Sequence, residues 1–464
     1  MARTLLALAS MWLMLSGGWA QRLVWLGQLP GGLESEALGV SADGTVVVGT
    51  AINAEGFRRA FRWTESDGMQ DLGTLGGVLS LGTAVSADGQ TIVGYSSNQR
   101  GELVAFRWRN GQMTALGTLS SVVWGEAYGV SADGTVISGH SWWGSNFSAA
   151  RWQDNTVTNL GTLPGAIASR AWGVSGNGQV IVGAAFFPTS GLSEARAVRW
   201  QGTTIQQLGV LAGYRRSWAF AASNDGSVIV GFAYADNESE PSTSIRWVNG
   251  QPQNLGWLPL NGADGSIAYG VSGDGAIVVG NSDGCAYRWT QVRGMENLNT
   301  VYASLLADGS QLYSAQAISV DGRFIVGRGY NAATNRTEAF LLDTATCTAH
   351  NGDVDRNGCV DDADLLAVLF AFGQTGAGLG RVDVNCDGRV DDADLLIVLF
   401  AFGGGCYGTL LAPMHAEDRA KRRAAVVSLG YNLTATGVNL AAALITGSVS
   451  LLSEALHSAT DVVA

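Results

Sequence analysis

Gly39-Val40-Ser41-Ala42-Asp43-Gly44-Thr45-Val46-Val47-Val48-Gly49 is a stretch that the chain repeats, followed by Phe61-Arg62-Trp63 and then by Asp71-Leu72-Gly73-Thr74-Leu75. Its Asp-Gly step returns at Asp88, Asp133, Asp225, Asp274 and Asp321, and Asn177-Gly178 takes the same place once. The intervals run from 44 to 49 residues, which makes seven copies. A period of this size marks an array of supersecondary units, and about 40–50 residues is the length of one four-stranded propeller blade.

Each copy reads as four strands. In the first they are Gly39 to Ser41, Thr45 to Gly49, Ala60 to Trp63, and the Gln70 to Leu75 region, with a tight Asp-Gly turn between the first two. Gly follows Asp or Asn in every copy because the turn needs a residue that tolerates positive φ. The seventh copy stops at Phe340-Leu341-Leu342 without a fourth strand of its own, while Leu23 to Leu29 precedes the first copy with nothing local to pair with. The expectation is a mainly β fold, a seven-bladed β-propeller over residues 21–345, closed when the Leu23 to Leu29 segment completes the last blade. A solenoid of the same repeats would leave that strand without a partner.

The chain has 464 residues, 64 glycines and only 14 % charged residues, room for two or three domains with a large β core. Residues 1–20 carry Arg3, an apolar run from Leu5 to Leu15, and small residues at Gly18 and Ala20. They read as a signal peptide cleaved after Ala20, which places the protein outside the cell or on its surface. The net charge of −12 argues against nucleic acid as a partner. Four of the five cysteines, Cys347, Cys359, Cys386 and Cys406, bracket or lie inside one short region, as in a disulfide-stapled module. Spacing alone does not fix their pairing; Cys347 with Cys406 and Cys359 with Cys386 is the preferred one, leaving Cys285 free in a blade.

The propeller offers little chemistry. His140 is its one histidine, which leaves no His-based triad or His cluster. Arg62, Arg107, Arg151, Arg199, Arg246 and Arg288 recur once per blade and are expected to pair with the turn Asp or a backbone carbonyl. The Trp after each (Trp63, Trp108, Trp152, Trp200, Trp247, Trp289) is expected in blade-to-blade packing. Trp124, Trp142, Trp143 and Trp172 fall outside that pattern: they either line an exposed aromatic face suited to a sugar or a protein, or pack loops.

Arg59-Ala60-Phe61, Val104-Ala105-Phe106 and Glu338-Ala339-Phe340, with the Leu-Gly-x-Leu segments, resemble the extracellular HAF repeats. The position of that family's His is Arg, Val or Glu here, and the resemblance implies no reaction.

The strongest chemical signal follows the repeats. Asp353, Asp355, Asn357, Asp361 and Asp364 stand at positions 1, 3, 5, 9 and 12 of a loop with Gly358 at position 6. Thirty residues later Asp383, Asn385, Asp387, Asp391 and Asp394 repeat the spacing around Gly388. Oxygen side chains in this order wrap a hard cation that takes six to eight oxygens, with Cys359 and Arg389 at position 7 donating only backbone carbonyls. Two Ca2+ sites are expected in a module spanning residues 347–406, each loop running into a helix that begins at Ala363 or Ala393. The duplicated loop-helix pattern resembles a type I dockerin. That resemblance implies a small α module folded by its metal, with one helix face for a cohesin-like partner, although Asp361-Asp362 and Asp391-Asp392 depart from the family's Ser/Thr recognition pair.

After a linker at 407–418 the composition changes. Arg419, Lys421, Arg422 and Arg423 lead into the uncharged stretch Ala424 to Ser453, of which Ala424 to Thr446 is long enough to span a bilayer. Residues 419–464 resemble the first two transmembrane helices of cation diffusion facilitator (cation efflux) transporters, truncated. His457 and Asp461 match two of that family's transport-site ligands, which implies Zn2+ or another divalent cation if the segment is part of a working transporter. The basic cluster belongs on the cytoplasmic side, in conflict with the signal peptide. We expect two joined reading frames, the second cut short.

The function expected is therefore a secreted or cell-surface, non-enzymatic calcium-binding propeller with a binding, adhesion or scaffold role toward an extracellular protein or glycan. One alternative is a cation efflux fusion held in the membrane by its C-terminal helices. The other is a carbohydrate-active, polysaccharide-degrading propeller, a glycoside hydrolase drawing on Glu34, Glu36, Asp236, Glu238 or Glu240, whose spacing singles out no pair.

Overall fold

A computed structural model describes residues 21–188, 194–235, 241–259, 265–344, 350–355, 359–374, 379–385 and 389–403. The chain divides into two compact units, 1–402 and 403–464. Residues 1–20, expected above to be a signal peptide, the carboxylates Asp236, Glu238 and Glu240, and the tail with His457 and Asp461 lie outside the described residues. Among the described residues no helix is long and apolar enough to cross a membrane.

Seven four-stranded antiparallel sheets follow one another along the chain. The first blade has β2 (Ser35–Val40), β3 (Val47–Ile52), β4 (Arg58–Thr64) and β5 (Gly68–Asp71). The last blade borrows its outer strand from the start of the chain: β1 (Arg22–Trp25) pairs antiparallel with Arg336–Asp343, in the register Val24 opposite Leu341. The closure expected for the Leu23 to Leu29 segment is thus observed over its first half, and it leaves neither end of the array as an open sheet edge.

Two expectations are corrected. The fourth strand ends at Asp71, so Leu72-Gly73-Thr74-Leu75 is a link between blades rather than a strand. The reason is a hub of hydrogen bonds to its glycine carbonyl. Ser80, on the first strand of the next blade, donates its hydroxyl to Gly73 O at 2.6 Å and accepts the Ala60 N–H at 3.0 Å. Ser35 does the same across the closing seam, donating to Gly27 O and accepting from Ala339. Trp152 and Trp247 donate their indole N–H to the Gly117 and Gly209 carbonyls of the preceding links, which makes them blade-to-blade contacts as expected.

The second correction concerns the recurring Arg. Arg246 reaches a turn carbonyl, Gly275 O at 3.0 Å, but Arg199 bonds Gln206 and Arg288 bonds Glu296, each on the fourth strand of its own blade. The turn carboxylate is held instead by the serine two residues before it. Ser41 donates to Asp43 Oδ1 at 2.6 Å, the Thr45 N–H donates to the same oxygen, and the Val46 N–H donates back to Ser41 Oγ. The Ser–Asp contact recurs at Ser86–Asp88, Ser131–Asp133, Ser175–Asn177, Ser223–Asp225, Ser272–Asp274 and Ser319–Asp321. The turn is therefore a wider loop than a two-residue hairpin, locked by its side chains.

Every blade's core is built from the second and third strands. Val47, Val48, Ala60 and Phe61 are fully buried, and the Ala-Phe steps at Ala105-Phe106 and Ala339-Phe340 are equally so. The residues of the turns also join the blades: the Ala42 N–H donates to Ala87 O, Ala87 to Ala132 O, and Ala132 to Gly176 O, at 2.9 to 3.0 Å.

Candidate metal centre and central channel

Beyond the propeller, two helices, Asp362–Ala371 and Asp392–Ala401, carry the duplicated loops. Each starts on a capping box. Asp361 Oδ1 accepts the Ala363 N–H at 2.9 Å, and Asp364 Oδ2 accepts the Asp361 N–H at 2.9 Å. Asp391 and Asp394 repeat both bonds. Asp364 is fully buried, and its Oδ1 also accepts the Val354 and Asp355 N–H groups at 2.6 and 3.1 Å. Asp394 is held identically by Val384 and Asn385, at 2.6 and 3.0 Å. The position-12 carboxylate thus folds its own loop back against the helix start.

The two copies interlock. The Gly373 N–H donates to Val390 O at 2.8 Å, the Val390 N–H donates to Gln374 O at 3.0 Å, and Arg381 Nε donates to Val354 O at 3.1 Å. Val360, Val368, Val384, Val390 and Val398 form the small core between them. Leu366, Phe370, Leu396 and Phe400 remain exposed at corresponding helix positions, Phe370 at 84 % and Phe400 at 86 %.

Asp353, Asp355 and Asp364 each offer a carboxylate oxygen, all within 4.8 Å of one another. Like charges at that separation repel unless a cation lies between them, and a set of hard oxygens is the chemistry that calcium takes. The residues present therefore fit the ion. Asn357 and Asp387 lie outside the described residues, whereas Cys359, Asp383, Asn385, Arg389 and Asp391 are described. Cys359 is disulfide-bonded and Cys285 is free; Cys347, Cys386 and Cys406 lie outside the described residues.

Sequence reasoning missed the most regular feature of the propeller. The first strand of each blade carries a β-bulge at the same place, between Ala37 and Gly39, Gly82 and Ala84, Ala127 and Gly129, Ala171 and Gly173, Ala219 and Ala221, Ala268 and Gly270, and Ala315 and Ala317. The extra residue in each case, Leu38, Thr83, Tyr128, Trp172, Phe220, Tyr269 or Gln316, lines a central channel of about 270 Å³. A varying residue between two small ones, just before Val-Ser, was the signal available in the repeats.

The aromatic residues outside the Trp pattern separate into two groups. Trp124 and Trp142 pack edge to face at 5.4 Å, and Trp124 lies 5.9 Å from the ring of His140, so they serve packing more than an open face. Trp143 is 52 % exposed, whereas Trp172 lines the channel. His140 is fully buried, with Nε2 3.5 Å from Glu126 Oε2. Burial, with the nearby Arg170 guanidinium adding to it, pushes its pKa down to about 3, so it is neutral near pH 7. Glu126 in turn accepts the Tyr128 hydroxyl.

No protein-family model matches the chain, and no curated protein matches it. Among solved structures the chain is similar to an oligogalacturonate lyase from Vibrio parahaemolyticus, at 10 % identity over 71 % of this chain and 95 % of that one, with a TM-score of 0.48. It is also similar to the β-propeller domain of the Trilobed protease from Pyrococcus furiosus, at 11 % identity over 67 % and 96 %, with a TM-score of 0.41. The seven-bladed architecture rests on the sheet order itself, and no activity is carried over from either.

Proposed function

We propose that the protein is a non-enzymatic binding propeller of the cell exterior whose C-terminal module is folded by two calcium ions. The observation that carries this reading is the convergence of Asp353, Asp355 and Asp364, together with identical hydrogen bonds around Asp364 and Asp394. In the first loop Asp353, Asp355, Asn357, Asp361 and Asp364 would hold the ion with the Cys359 carbonyl. In the second, Asp383, Asn385, Asp387, Asp391 and Asp394 would do so with the Arg389 carbonyl. The ion supplies the positive charge that lets these carboxylates converge, and its binding energy then adds to folding. The exposed Leu366, Phe370, Leu396 and Phe400 support a dockerin-like role, with an extracellular protein as partner. A binding role for the propeller is favoured over hydrolysis because Glu36 is engaged by Gln316 and Arg328, and Glu34 lies 4.0 Å from Arg58.

The test is calorimetric titration of the full chain, stripped by a chelator, with calcium chloride. Two binding events and a rise in the module's unfolding temperature are expected. Absence of heat together with an unchanged unfolding profile would overturn the calcium reading.

A further inference from the structure

Four residues per blade line the channel in successive rings. The bulge ring is aromatic over four consecutive blades, at Tyr128, Trp172, Phe220 and Tyr269, and carries Gln316, Leu38 and Thr83 on the others. Trp172 meets Phe220 edge to face at 5.4 Å, and Phe220 stacks on Tyr269 at 5.9 Å, so three of the four form one continuous wall. After a ring of Gly and Ala such as Gly39 and Ala84, the third ring is aliphatic, with Val40, Val85, Val130, Val174, Ala222, Val271 and Ile318. The last ring, at the turns, consists mostly of small residues such as Ala42, Ala87, Ala132 and Gly176.

Charge is distributed in a definite way around this channel. Among the described residues that line it, none is charged. One residue beyond the small ring stand the turn carboxylates Asp43, Asp88, Asp133, Asp225, Asp274 and Asp321. The hydroxyl and amide bonds they accept hold those of Asp88, Asp133, Asp225 and Asp274 below the usual carboxylate range, so they stay ionised. Two lining side chains bond carboxylates behind the ring: the Tyr128 hydroxyl donates to Glu126 and the Gln316 amide donates to Glu36 at 3.0 Å, while Arg170 lies over the Phe147 ring at 4.1 Å and Arg328 lies 3.7 Å from Glu36. The whole chain carries a net charge of −12.

We infer that the central channel is a binding site for a small organic cation of the quaternary ammonium class. This deepens the reading of the propeller as a binding domain and is independent of the calcium module. A quaternary ammonium has no N–H to donate, so walls without charged or matched polar groups cost it little. Its methyl groups pack on the aliphatic ring, and its charge is attracted to the π-systems of Tyr128, Trp172 and Tyr269, Phe220 being stacked between Tyr269 and Phe232. The carboxylate ring at the turns raises its local concentration at the opening. Neither a neutral apolar ligand nor an anion would use both features. The volume exceeds the roughly 150 Å³ of a benzene-sized cavity, which suffices for a trimethylammonium head.

The test is a titration of the full-length protein with choline chloride, followed by tryptophan fluorescence and calorimetry. It is run at constant ionic strength, once with calcium and once with a chelator. A dissociation constant on the order of 1 mM or tighter is expected. The neutral carbon isostere of choline, dimethylbutanol, should bind about tenfold more weakly, because it keeps the shape and loses the charge. Trp172→Ala should weaken choline by about tenfold or more, and Trp257→Ala, at an exposed tryptophan that does not line the channel, should leave it unchanged. Because Trp172→Ala also removes packing, Leu38→Lys serves as the second variant: it leaves the aromatic wall intact and should abolish binding by placing a like charge in the bulge ring. Equal affinity for dimethylbutanol, no binding at about tenfold above the expected constant, or choline binding that survives Leu38→Lys would each overturn the inference. Loss of choline binding with calcium heats intact refutes this inference alone, and the converse refutes the calcium reading alone.

Discussion

Ser131 donates its hydroxyl to Asp133 Oδ1 at 2.5 Å, and the same hydroxyl oxygen accepts the Val136 N–H at 2.9 Å. Ser131 is fully buried, so its hydroxyl is the local partner of a buried amide and of the turn carboxylate together. Ser131→Ala should destabilise the propeller by about 1–3 kcal/mol, the cost of leaving such groups without a partner. Chemical denaturation followed by tryptophan fluorescence measures it. A loss near zero would mean that the serine only decorates the turn.

The glycine of this turn meets a second demand. Gly134 has φ +72°, and a Cβ added there would lie 2.6 Å from Thr91 Oγ1 on the preceding blade. Gly111 has φ +77° but open space around it. Gly134→Ala should therefore cost more than Gly111→Ala, which isolates the backbone strain of about 1–2 kcal/mol. Equal costs for the two would show that the blades yield at the turn.

Acid should act through the turns. Hydrogen bonds from Ser227 and Ser223 lower the Asp225 pKa from 3.8 to about 2. A carboxylate depressed in the folded state contributes stability above its unfolded pKa, and that contribution is lost as pH falls through the folded value. Asn177 occupies the same place in its blade, accepts the Ser175 hydroxyl at 2.7 Å and does not titrate. Asp225→Asn should flatten the fall of the denaturation midpoint between pH 4 and pH 2, a window set by those two pKa values. An unchanged pH profile in the variant would count against the linkage.

Removing residues 21–29 should leave Arg336–Asp343 as an unpaired edge, because β1 is its partner through Arg22↔Asp343 and Trp25↔Phe340. The truncated protein should self-associate in size-exclusion chromatography, as exposed edges do. A stable monomer with unaltered unfolding would show that the ring holds without its seam.

Two carboxylates of the first metal loop should separate cleanly in function. Asp364→Ala removes the acceptor of three backbone N–H groups, so the module should lose its folded structure even in excess calcium. Asp355 is exposed, and Asp355→Asn should weaken calcium while the calcium-loaded module still folds. Circular dichroism near saturation distinguishes them; identical behaviour of the two variants would refute the division of labour.

Much of this molecule was legible in its repeats. The Asp-Gly step and the Val- and Ile-rich runs after it located seven blades, and the orphan segment before the first copy located the seam. The loop spacing likewise brought Asp353, Asp355 and Asp364 together. The fourth strand was misplaced because Leu72 and Leu75 look like strand residues, yet they belong to a link whose glycine carbonyl is claimed by the neighbouring blade. The channel ring was hidden for a different reason. A bulge is defined only by the register of the partner strand, and nothing in Ala127-Tyr128-Gly129 states that Tyr128 has no opposite residue on Ile137–Trp143. Trp124 and Trp142 were ambiguous because their role depends on a buried histidine sixteen residues downstream of Trp124.

The bulges also bear on how such a protein changes over generations. A residue with no cross-strand neighbour is released from the pairing constraints that fix the rest of its blade. Leu38, Thr83, Tyr128, Trp172, Phe220, Tyr269 and Gln316 already differ widely in size and polarity while the residues flanking them stay small. The seven blades thus present one adjustable position each around a shared axis, so selectivity can drift one side chain at a time without renegotiating the scaffold.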